Sequence, residues 1–195
     1  MRRAAVGRNL HLKAIVVALL LARTTLVSAD CTDRREALRT EAHRGRVWGV
    51  GWAMANGALL VGSVSAIPFF DHDQQIDLAF GAGTSAIGVV STLASPVTWL
   101  HPYDDCDAVE RELSRAADAQ AFGKSWLAHT GNVLINGGAG LALGLGWDHW
   151  RSAAIQGGVG ILVGELMIYT QPDGAVQLAV SPTAGGAIIG FAGVF

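Results

Sequence analysis

Residues 125–147 read SWLAHTGNVLINGGAGLALGLGW, with no Asp, Glu, Lys or Arg and with glycine at 131, 137, 138, 140, 144 and 146. At about 1.5 Å of rise per residue the stretch is long enough to cross a bilayer core as a helix. It is too polar to do so alone. His129, Asn132 and Asn136 stand at i, i+3 and i+7, so a helix gathers them on one face, with Gly140 continuing the stripe. Such a helix inserts only with a partner helix covering that face.

Three further stretches of comparable length, at 47–70, 78–100 and 152–172, are likewise uncharged apart from Glu165. Together they explain a composition that is 51% hydrophobic and 15% charged, well below the ~25% charge of an ordinary soluble domain. Small residues recur at four-residue steps: Gly49, Ala53 and Gly57; Gly140 and Gly144; Ala153 and Gly157; Gly160 and Gly164. That spacing lines a helix face with small side chains and lets backbones approach closely. With 25 glycines, some of these pairs also arise from composition alone.

Between the apolar stretches lie charged islands. Thr32–Arg46 carries Ala37, Leu38 and Ala42 on one side, and Asp107–Ala121 places Val109, Leu113, Ala116 and Ala117 on one face, so both read as amphipathic helices. Each begins beside a cysteine. At an offset of 76, Asn56 falls on Asn132, Gly81 on Gly157, Gly88 on Gly164 and Pro96 on Pro172. Both halves run in the same order: cysteine, charged helix, apolar stretch, Asp-His tip, apolar stretch, proline. This order reads as an internal repeat of two helical hairpins.

The N-terminus reads as a signal peptide over 1–29. Arg2, Arg3, Arg8 and Lys13 form a basic region, Ala14–Ala22 an apolar one, and Val27-Ser28-Ala29 a small-residue cleavage site. Cleavage there removes five of the 14 basic residues, so nine remain against 16 acidic ones and the mature chain is distinctly acidic. Nucleic acid is therefore not an expected partner. Export also puts Cys31 and Cys106 in an oxidising compartment, where they are expected to pair as a disulfide. With the mature N-terminus outside and each hairpin crossing twice, both cysteines lie outside. So do Arg34, Arg35, Arg39, Arg44, Arg46, Arg111, Arg115 and Lys124, against the positive-inside rule.

The C-terminal segment, 173–195, follows the turn sequence Gln171-Pro172-Asp173-Gly174. Ala175–Val180 and Ala187–Phe195 read as two strands of a β-hairpin. Ile189, Phe191 and the terminal Phe195 share one strand face. These last residues resemble the closing strand of bacterial outer-membrane β-barrels, which end on an aromatic residue after alternating apolar ones. The resemblance implies an alternative architecture, a small outer-membrane β-barrel. The two charged helical islands and the lack of polar alternation depart from that pattern.

The fold expected is thus mainly α. Four Gly-rich membrane helices form two hairpins, over 30–100 and 101–172, each led by a charged helix, with a C-terminal β-hairpin. Glu165, the lone acid in an uncharged stretch, joins His129, Asn132 and Asn136 as an intramembrane polar site, read either as helix–helix glue or as the lining of a narrow path. Asp71 and Asp148 are expected to cap the helices that follow them, with Gln74 as a capping-box partner. Asp73 and Asp77 lie near the two Asp-His tips, and capping explains the aspartates without a metal. No nucleophile elbow, phosphate loop, dinucleotide fingerprint or zinc-protease signature is present. The expectation is a non-catalytic structural or assembly protein of a bacterial envelope membrane, inner or outer, needing no cofactor. Its partners would be the lipid bilayer and either itself or other envelope proteins. A small channel or transporter is the alternative.

Overall fold

The computed structural model describes residues 31–179 and is built almost wholly of helix. The signal peptide expected over 1–29 lies outside the described residues, as does the part of the C-terminal segment beyond Ala179.

Five long helices and one short one follow in order: α1 Cys31–Ala66, α2 His72–Ala94, α3 Cys106–Gly123, α4 Trp126–Trp147, α5 Trp150–Thr170 and α6 Gly174–Ala179. Short 3-10 turns at Ile67–Phe69 and Pro96–Trp99 punctuate the first half. α1 packs along α2, and α4 along α5, so both hairpins form. Among the described residues three helical segments are long and apolar enough to cross a membrane: Cys31–Phe69, His72–Ala94 and Trp150–Val176. α4 is not among them, in keeping with its need for a partner over its polar face.

The first charged island and the first apolar stretch are one continuous helix of 36 residues. Nothing between Arg46 and Val47 can cap or break a helix, so the backbone carries on through the change of polarity. In the second half the helix does break: α3 ends at Gly123, and Ser125, with extended backbone (φ −74, ψ 161), starts α4 afresh. Hence there are five long helices where four membrane helices and two separate charged ones were expected.

Helix ends follow local chemistry. The Asp71 side chain accepts from Gln74 N at 2.9 Å and so caps α2, while Gln75 rather than Gln74 reaches back, its Nε2 donating to Phe70 O at 3.0 Å. Asp105 caps α3 through Ala108 N at 2.9 Å. Pro96 stops α2, since it cannot continue the helix and restricts Ser95 before it. The carbonyls left over at that end are taken up by Thr98 Oγ1, donating to Thr92 O at 2.8 Å, and by the Trp99 indole, donating to Leu93 O at 2.6 Å. Asp148 departs from expectation. It ends α4 in the left-handed region (φ 60) with its N–H on Gly144 O at 3.0 Å, and it does not cap α5. A short acid side chain tolerates this conformation better than most non-glycine residues.

The C-terminal β-hairpin is corrected within the described residues: Gly174–Ala179 is helical where Ala175–Val180 was expected as a strand. The Pro172-Asp173-Gly174 turn opens α6, whose N–H groups at Ala175 and Val176 both donate to Gln120 Oε1, at 3.0 and 3.3 Å. Among the described residues there is no strand, and nothing supports the barrel alternative.

Among the described residues most of the buried apolar side chains sit in the charged head, while Ala82, Leu143 and Ala153 are buried in the hairpins. Leu38, Ala42, Val97, Leu100, Val109, Ala116 and Ala175 are buried where the first turns of α1 meet α3, α6 and the Pro96–Trp99 turn. Gly45 and Gly49 let that turn touch α1, for a Cβ on either would collide with Val97 O or Thr98 Oγ1. Cys31 and Cys106 form the expected disulfide, their Cα atoms 5.8 Å apart, and so join the starts of α1 and α3. Arg34–Glu110 at 2.9 Å and an Arg35 contact to Asp104 O lie beside it.

Away from the head, large apolar side chains face outward: Met54, Leu59, Val61, Leu134, Leu145 and Leu162 are all exposed. Aromatic residues gather at the two helix ends, Trp99, Phe122, Trp126 and Tyr169 toward the head, and Phe69, Phe70, Trp147 and Trp150 at the tips. Two such belts flanking an apolar band are the arrangement a bilayer selects.

Candidate functional site

The four residues expected as a polar site do meet, at the head end of the α4–α5 seam. Because α4 and α5 run antiparallel, His129 and Asn132 near the start of one helix face Glu165 near the end of the other. His129 Nδ1 lies 2.6 Å from Glu165 Oε2 and Asn132 Nδ2 donates to Glu165 Oε1 at 2.9 Å. The second Asn132 amide hydrogen serves Ile161 O at 2.9 Å, and Asn132 Oδ1 accepts from Asn136 Nδ2 at 2.8 Å. Tyr169 closes the cluster, its ring 5.7 Å from that of His129. The cluster is half-buried: the His129 side chain is 33% exposed and that of Glu165 24%. His129 lies one turn from Trp126, one of the exposed aromatic residues at the head end.

Glycine makes these contacts fit. A Cβ on Gly164 would collide with Asn132 Oδ1, and one on Gly160 with Asn136 Oδ1. One turn further on, Gly140 meets Ala153 O and Gly157 Cα, so the two backbones touch. His129 and Asn132 are therefore spent across the seam and the Asn136 amide on Asn132 of its own helix, and below Asn136 that seam is closed by backbone contact. The first hairpin uses the same joint once. Asn56 lies against Gly88, a Cβ on which would be only 2.7 Å from Asn56 Cγ. These are the two residues that the offset of 76 places on Asn132 and Gly164. The Glu165 position has no acid in the first half, where the corresponding residue is Val89.

At the tips, Asp77 is the centre rather than a bystander. His149 Nδ1 lies 2.8 Å from Asp77 Oδ1, Ser152 Oγ donates to Asp77 Oδ2, and Gln156 Nε2 donates to Asp77 O at 3.0 Å. Ser, His and Asp thus meet, but the serine hydroxyl is spent on the carboxylate and not on the imidazole. Nucleophilic activation requires the base to face the nucleophile, so this cluster is a tie between the hairpins and not a hydrolytic triad. Among the described residues no group of three or more His, Cys, Asp or Glu is arranged to hold a metal ion.

In the head, sequence reasoning passed over Gln120 and Glu41, which are 0% and 3% exposed. Gln120 Nε2 donates to Glu41 Oε2 at 3.0 Å while its Oε1 caps α6, and Arg44 pairs with Glu41 at 3.2 Å. Both sit in strongly charged helices, where periodicity marks apolar positions and gives no sign that a polar residue faces inward.

A cavity of about 1140 Å³ lies between the two hairpins. It is bracketed at the head end by Trp48 Nε1 on Met167 O (3.1 Å) and Trp52 Nε1 on Thr170 Oγ1 (3.0 Å). At the tip end the Asp77 tie and the edge-to-face pair Phe80–Trp147, with centroids 5.3 Å apart, close it. Its walls are mostly apolar, with Asn56, Asn132 and Asn136 along them.

Compared with known protein families, curated proteins and solved structures, the chain matches none.

Proposed function

We propose that this chain is a non-catalytic integral membrane protein of the bacterial cell envelope with a structural or assembly role. The two hairpins hold a disulfide-clamped head at the outer membrane surface. One observation carries the reading: the polar side chains of the α4–α5 seam are consumed by each other and by backbone groups, while large apolar side chains face outward. That is how helix–helix glue is built. The acidic mature chain and the expected signal peptide support an exported location, and the preference for Arg over Lys supports a bacterial source.

Reconstitution into liposomes tests the role. The unmodified protein should give no ion flux above protein-free liposomes. Flux that disappears in Glu165→Gln and in Asn132→Leu would overturn the structural reading in favour of a channel lined by His129, Asn132, Asn136 and Glu165.

A further inference from the structure

We propose that the cavity between the hairpins is a lipid site, which takes an acyl chain of a bilayer phospholipid bearing a zwitterionic, amine-containing headgroup. The inference rests on the membrane reading above but not on the structural role. Four observations carry it. The walls are made by apolar side chains, among them Leu59, Ile87, Leu127, Ile135 and Val159. Walls in which apolar side chains predominate suit hydrocarbon better than water. The asparagines along the wall do not call for water either: the Asn56 amide donates to Trp52 O and Met167 Sδ, and the Asn132 and Asn136 amides are spent across or along the seam.

The shape is that of a chain. The wall on α1 runs from Trp48 to Ser63, about 22 Å along the helix axis, against ~15 Å for one leaflet of hydrocarbon. The cavity is open rather than enclosed, and its lining residues Leu59, Ile87 and Ile155 are exposed, so a chain can enter sideways from the bilayer past apolar side chains. Charge selects the headgroup. Among the described residues the charged side chains along the cavity are Asp77 toward the tips and Asp118 at the head end, and no Lys or Arg lines it. An anionic headgroup would find repulsion there, whereas an ethanolamine ammonium meets a carboxylate at the head end, where phospholipid headgroups lie.

The test is native mass spectrometry of the full chain released from nanodiscs of equal palmitoyl-oleoyl phosphatidylethanolamine and phosphatidylglycerol. The expected result is protein carrying one phosphatidylethanolamine. Gly131 lines the cavity, and a Cβ there meets nothing within 4 Å, so Gly131→Leu adds bulk to the cavity wall from a position with room for its Cβ. It should lower the lipid-bound fraction about tenfold, roughly the effect of removing one good apolar contact surface. Gly138→Leu is the control, since Gly138 also has open space around it but does not line the cavity. A second filling variant, Ala128→Phe, guards against a folding defect, and the Cys31–Cys106 bond reports correct assembly in each. The proposal is overturned by lipid-free wild type, by equal lipid retention in Gly131→Leu and Gly138→Leu, or by preferential retention of phosphatidylglycerol. A wild-type dimer that Gly131→Leu makes monomeric would overturn it too, since a helix of a second copy would then be the occupant. Protein that never enters the nanodisc fraction would instead sink the membrane reading.

Discussion

Asn132 makes contacts on three sides at once, and the glycine opposite it is what permits this. The clash that Gly164→Ala creates is with Asn132 Oδ1, a side-chain atom, so removing that atom should relieve it. Gly164→Ala is expected to cost about 1–3 kcal/mol through overpacking, and Asn132→Ala about 1–2 kcal/mol through its lost interhelical hydrogen bonds. The double variant should cost less than the two combined, because neighbours in contact do not add. Gly138→Ala, with nothing within 4 Å of its Cβ, should be neutral or slightly stabilising. Reversible unfolding in mixed micelles measures all four, and strict additivity would show that the asparagine does not sit against Gly164. At this scale the site was largely legible. A 3.6-residue period puts His129, Asn132 and Asn136 on one face, and a lone acid in an apolar stretch draws attention to Glu165. The pairing between them was not legible, because it depends on the antiparallel register of α4 and α5. Asp77 was missed as a centre for the same reason: its partners His149, Ser152 and Gln156 arrive from the other hairpin.

Among the elements, the apolar stretches were readable as helices and the Asp-His pairs as tips, since composition changes sharply at both. Helix continuity was not. The change from charged to apolar at Arg46–Val47 resembles a boundary, yet no capping residue stands there and α1 runs straight through. α6 was misread because Ala, Val and Leu after a Pro-Asp-Gly turn suit either a strand or a short helix. What decides is a distant side chain: Gln120 supplies the acceptor for the first free N–H groups of α6 and anchors Glu41 with its other end. Gln120→Leu should therefore cost about 2–3 kcal/mol, leaving buried N–H groups and a carboxylate short of a partner. Limited proteolysis should show faster cleavage near Gly174, while the circular dichroism of the membrane helices stays unchanged. Equal cleavage rates would mean that α6 is held by Ala175 packing alone.

For the whole molecule, the apolar excess in composition was the clearest signal, and it carries a meaning that composition alone cannot give. Glycines such as Gly45, Gly49, Gly140, Gly160 and Gly164 stand where helices or turns touch, many large apolar side chains are exposed, and among the described residues most of the buried apolar side chains lie in the head. The cavity had no counterpart in the sequence reading, since a gap between hairpins is set by the Trp48, Trp52 and Asp77 ties that hold them apart. The unbroken α1 also works as a mast. Cys31 stands 16 residues before Val47, where the apolar stretch begins, so the disulfide is lifted about 24 Å along the axis from that point, far beyond the ~5–8 Å of the headgroup layer. On the membrane reading proposed above it is chemically a bond in solution, carried by a protein in a membrane. In spheroplasts a membrane-impermeant phosphine should cut it without detergent, giving the gel mobility that Cys106→Ser shows from the start; a bond that yields only after detergent would lower the mast into the lipid. The same height puts thiol oxidants dissolved in the aqueous space within reach, so closing the clamp needs no partner buried in the bilayer.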